Sequence, residues 1–89
     1  MGHSGRRKPG KLGIKLCEIR KGLGLSQAEL STKLSEEKYP LYKADISNFE
    51  SGKREPSLIV LLRYARLANI LVDTLVDDEL ELPSKFTKR

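Results

Sequence analysis

Between residues 11 and 78 the apolar residues recur three and four apart, and at short intervals a cap or a breaker cuts that rhythm. A chain with this pattern is restricted to a packing of short helices. Leu12, Leu16, Ile19 and Leu23 form a first stripe, ended near Gly22 or Gly24. Ser26 is a good N-cap, and Glu29 three residues later completes a capping box. The helix they open runs to about Ser35, with Leu30 and Leu34 inward. Pro40 blocks backward continuation of a third helix, which occupies about Lys43 to Ser51 with Ile46 and Phe49 inward. Gly52 ends that helix as a left-handed cap. Pro56 and Ser57 open a fourth helix, whose expected inner face is Leu58, Leu61, Leu62, Ala65 and Ala68. Asn69 can take the left-handed conformation where it stops. A short fifth helix, about Val72–Val76, closes the core with Leu75. The expected fold is all-α with five helices. A flexible basic arm (1–10) precedes the domain (11–78), and a C-terminal tail (79–89), polar from Pro83 onward, follows it.

Eighty-nine residues have room for one hydrophobic core. No apolar run is long enough to span a membrane, and the basic start has no apolar stretch behind it, so it does not read as a secretory signal. One cysteine (Cys17) and one histidine (His3, in a Gly/Ser-rich stretch) leave no ligand set for a metal, and no cofactor is expected. Ser26, Ser31, Cys17 and the carboxylates have no histidine beside them, so an enzyme is the weakest reading. The net charge of +5 is unevenly spread. Residues 1–21 hold seven Lys/Arg against Glu18 alone, whereas residues 73–89 hold three against five acids. Such polarity fits attraction to a polyanion or ordinary solubility.

A helix-turn-helix needs a capped first helix, a small residue at the close approach, and a second helix with polar residues outward. Leu25–Leu30 (LSQAEL) supplies the capped start and Ser31 the small residue. Residues 43–52 (KADISNFESG) supply the second helix, and Lys53-Arg54-Glu55-Pro56-Ser57 follows. Taken in this order, LSQAEL, ISNFESGKREPSL and the spacing to Val72–Val76 resemble the Cro/phage-repressor, or xenobiotic-response-element-like, helix-turn-helix family over about Leu12 to Asp78. The resemblance implies a lambda-repressor-like DNA-binding domain. It implies that Gln27 hydrogen-bonds a phosphate and that Lys43, Ala44, Ser47 and Asn48 face base edges. It further implies that Tyr42 touches phosphate or a base at the helix entrance, that Lys53 and Arg54 clamp the backbone, and that Arg20 and Glu50 form a partly buried ion pair. Lysine can donate to guanine and asparagine can pair with adenine. Each of these polar residues could instead be solvated surface.

Three features depart from the family. The stretch between the second and third helices is longer by roughly five residues, about Glu36 to Pro40 (EEKYP); it could lengthen the second helix or loop out toward DNA with Lys38 and Tyr39 as contacts, and the form expected is an extended turn that leaves the core intact. Asp45 puts a carboxylate on the reading helix, either to cap its first turn or to accept from cytosine N4. Ile14, Leu23, Ile59, Val60 and Leu71 are apolar where the family is usually polar. Gathered on one face, such residues mark an interface, and a homodimer through the fourth and fifth helices would use Ile59, Val60, Leu71 and Val76. Arg6 and Arg7 in the arm either reach a minor groove or belong to a solubilising tail. The function expected is a transcriptional regulator, a repressor, that binds double-stranded DNA in the cytoplasm as part of the nucleoid. The alternative is an antitoxin or adaptor whose main role is to bind a protein partner. RNA binding is weaker, because Tyr39 and Tyr42 are few aromatics for stacking.

Overall fold

The computed structural model describes residues 10–87. Arg6, Arg7 and His3 therefore lie outside the described residues. Six helices follow one another: α1 (Leu12–Gly22), α2 (Gln27–Leu34), α3 (Lys43–Ser51), α4 (Leu58–Ala68), α5 (Val72–Val76) and α6 (Ser84–Thr87). No strand occurs among the described residues, so the all-α expectation holds, with one helix more than the sequence indicated.

The local chemistry sets the ends of these helices. Ser26 and Glu29 form the reciprocal capping box: Glu29 N–H donates to Ser26 Oγ at 3.0 Å, and Ser26 N–H donates to Glu29 Oε1 at 2.8 Å. Gly52 at φ 82° and Asn69 at φ 60° close α3 and α4 in the left-handed region. Helix α1 has no capping side chain of its own at Lys11. A residue far along the chain does this work instead, since Asp78 accepts from Gly10 N–H at 2.8 Å and Lys11 N–H at 3.0 Å. Those backbone bonds hold the Asp78 carboxyl below its ordinary range.

Leu16, Ile19, Leu30, Leu34, Ile46, Phe49, Leu61, Tyr64, Ala65 and Leu75 fill the core. Helix α3 packs against both α1 and α2, while α5 packs on α1 and α4. The approach of α1 to α3 depends on Gly13, where an added Cβ would lie 2.7 Å from the Glu50 carbonyl oxygen. Lys15 is buried, an unexpected place for a lysine. Its Nζ donates to the carbonyls of Thr74 (2.6 Å), Asp77 (2.9 Å) and Leu80 (2.7 Å), which uses all three ammonium protons. Burial pulls the Lys15 pKa below its ordinary value, opposed by Asp78 and Asp77. Lys15 and Asp78 thus tie the two ends of the domain together.

Three expectations need correction. The buried face of α4 is Val60, Leu61, Tyr64, Ala65 and Ala68, whereas Leu58 and Leu62 are exposed at 72% and 37%. The row through Leu58 and Leu62 reaches Arg66 one turn later, so it cannot continue as a core stripe, and the row through Tyr64 can. For the same reason Val60, assigned to a dimer surface, is a core residue at 3% exposure. The segment read as a polar tail is packed as well: Leu82 and Phe86 are buried, and α6 lies on α1. Phe86 rests over Gly22, where a Cβ would come within 2.7 Å of the ring.

The insertion between α2 and α3 forms a tight turn. Glu36 N–H donates to the Tyr39 carbonyl at 3.1 Å, and Tyr39 N–H donates to that of Glu36 at 2.9 Å. Arg63 on α4 ion-pairs with the Glu36 carboxylate, and Leu41 N–H donates to Ser35 Oγ at 2.9 Å. Residues 36–40 are all exposed, so the turn is anchored at its ends and adds nothing to the core.

Candidate nucleic-acid interface

Helix α3 is built with two unlike faces. Ile46 and Phe49 are buried at 0% and 2% exposure and hold the helix to α1 and α2. Lys43, Ala44 and Ser47 are exposed, and Asn48 is half-buried. Their spacing of one and four residues places them side by side on the outer face. Ser51 continues that face by one turn and is also exposed. Its place beside the terminating Gly52 gives it no signal of its own in the sequence. Tyr42, at the N-cap, is 65% exposed. Lys53 is exposed directly after the C-cap.

Glu50 links this helix to its supports. Arg20 donates from Nε to Glu50 Oε2 at 2.7 Å and from Nη2 to Oε1 at 3.1 Å, a two-pronged pair with side chains only 14% and 7% exposed. The Arg20 Nη1 also donates to the Leu25 carbonyl at 3.0 Å, so one guanidinium fixes both α3 and the α1–α2 turn. Burial alone would push the Glu50 carboxyl up, but the bonds from Arg20 and Gln27 outweigh it and hold the group below its ordinary value. The ion pair expected between Arg20 and Glu50 is present.

Gln27 and Arg54 are more committed than the resemblance implied. Gln27 Nε2 donates to Glu50 Oε1 at 3.1 Å. That bond uses one of its two amide N–H groups and leaves one for a further acceptor. Arg54 Nη1 donates to Asp45 Oδ1 at 2.7 Å, and its guanidinium lies 5.2 Å from the Phe49 ring centroid. The second Asp45 oxygen accepts from Tyr42 N–H at 2.8 Å, which is the capping role open to a first-turn carboxylate. The bonds from Tyr42 and Arg54 hold the Asp45 carboxyl below its ordinary value.

The residues assigned to an apolar interface divide. Ile59 and Val76 are exposed at 42% and 38%, and Leu71 at 73%, on elements that pack together, while Val60 faces inward. Leu58 and Leu62 add to the open apolar surface of α4. No helix among the described residues is long and apolar enough to cross a membrane. No protein-family model matches the chain, and a search of curated proteins returns no match.

Proposed function

We propose that this protein is a sequence-specific double-stranded DNA-binding regulator, a repressor that occupies its operator as a homodimer. In this reading α2 and α3 form a helix-turn-helix within a lambda-repressor-like domain, and α3 enters the major groove. The observation that carries the reading is the row of exposed Lys43, Ala44, Ser47 and Ser51, with half-buried Asn48, on a helix whose opposite side is locked in the core. A short helix with donors outward and a rigid back is what reading of base edges requires. Tyr42, Lys53 and the free N–H of Gln27 border the row and suit phosphate oxygens, which position a helix without specifying sequence. The role assigned is binding, with no catalytic step.

Selection from a random pool of DNA duplexes tests it. The expected result is one enriched motif with two-fold symmetry, half-sites about one helical turn apart, and affinity that falls steeply with salt. A pool that shows no enrichment after repeated rounds would overturn the proposal. A second reading, an adaptor or antitoxin for a protein partner, draws on the exposed Leu58, Ile59, Leu62 and Leu71. Unenriched DNA together with a stable complex with a second protein would favour it.

A further inference from the structure

Arg54 presents a basic side chain beside the outer face of α3, where a phosphate clamp was expected. Its contacts argue for a different task. The side chain donates to Asp45 at 2.7 Å and lies over Phe49, and its backbone N–H donates to the Asn48 carbonyl at 3.2 Å. Asp45, Asn48 and Phe49 stand three and four residues apart, so one edge of α3 grips a single arginine in three ways. We propose that Arg54 is a positioning residue, paired with Asp45, that folds the loop after Gly52 back along α3. Phosphate clamping then falls to its neighbour Lys53.

Two consequences follow from the geometry. The Asp45 charge, which would repel phosphate if bare, is compensated on the spot, and the Lys43 end of the helix keeps its positive potential. Lys53 is held between the left-handed Gly52 and the anchored Arg54, so its ammonium projects from a fixed backbone. Both Asp45 oxygens accept a hydrogen bond within the protein, one from Tyr42 N–H and one from Arg54, which orients the carboxylate toward the helix entrance and the loop.

The inference rests on the DNA-binding reading for its functional sense, and the two are separable by experiment. Asp45→Asn, Arg54→Ala, Arg54→Lys and the double variant Asp45→Asn/Arg54→Ala are measured against the selected duplex at several salt concentrations. A positioning pair whose arginine is 55% exposed predicts that each single change weakens binding by about two- to fivefold and that the double variant is no worse than the worse single. Arg54→Ala should keep the wild-type salt slope. Arg54→Lys should fall between wild type and Arg54→Ala, because a single donor reaches Asp45 and an ammonium can replace it. A clamp predicts the reverse: Arg54→Ala lowers the slope by about one, and Asp45→Asn tightens binding by removing a negative charge. That pattern would overturn the inference. Hydrogen exchange of the Arg54 backbone amide gives an arm that needs no DNA. The amide should exchange faster in Asp45→Asn while core amides of α1 stay protected, and an unchanged rate would also overturn the inference. Faster exchange in a protein that selects no DNA would keep the locked loop and reject the proposed function.

Discussion

At the scale of single residues, the ion pairs carry the most structural weight where they are least exposed. Arg20 and Glu50 are nearly enclosed, and each also bonds a third group, Leu25 or Gln27. Arg20→Ala leaves a buried carboxylate without its cation and should cost about 3–5 kcal/mol, read by thermal or urea unfolding. Glu36–Arg63, whose carboxylate is 56% exposed, should matter far less. Acid gives a second prediction. Glu50 and Asp45 both have carboxyls depressed in the folded state from ordinary values of 4.5 and 3.8, as do Glu29 and Asp78. Groups shifted this way add stability above their unfolded pKa and lose it as pH falls through the folded one. Stability should therefore be level near neutral pH and decline progressively as pH falls below 4.5. Chemical denaturation across pH 3–7 checks it, and a flat profile would mean that these carboxylates gain nothing on folding.

At the scale of elements, helix positions were legible where a local signal marked them. Ser26 with Glu29, Gly52, Pro56 with Ser57, and Asn69 each state an end in their own chemistry, and α1 to α5 lie where those signals put them. Register was less legible. Leu58 and Leu62 have the right spacing for a core face of α4, and only the Arg66 beyond them shows that the row must turn outward. Helix α6 could not be read at all, because Leu82 and Phe86 are two apolar residues in a polar stretch. The burial of Phe86 depends on the bare backbone of Gly22, sixty-four positions away. The same holds for Lys15 and Asp78, whose partners lie at the far end of the chain. The outer face of α3 was legible in the alternation around Ile46 and Phe49, whereas the commitment of Arg54 to Asp45 required coordinates. A core role for α6 predicts that Phe86→Ala costs about 3–5 kcal/mol, as for a buried aromatic elsewhere. A midpoint of unfolding shifted by no more than a surface substitution would contradict that role.

At the scale of the whole molecule, the described residues expose polar side chains on α3 with the adjoining loop and several apolar ones (Leu58, Ile59, Leu62, Leu71 and Val76) on or beside α4 and α5. The proposed homodimer places apolar residues of this second set between copies so that two reading helices face one operator. Light scattering with the selected duplex should give two chains per duplex, and Ile59→Lys or Leu71→Lys should reduce that to one without unfolding the domain. A single chain on the intact site would reject the dimer. The central claim concerns α3 alone, and it is tested most directly by repeating the binding-site selection with Lys43→Ala, Asn48→Ala and Lys53→Ala. The account predicts that the first two relax preference at particular base positions. The third should leave the motif intact while it weakens every sequence alike and lowers the salt slope by about one. An unchanged motif from Lys43→Ala and Asn48→Ala, with all three variants weakened equally, would show that the outer face of α3 does not read bases.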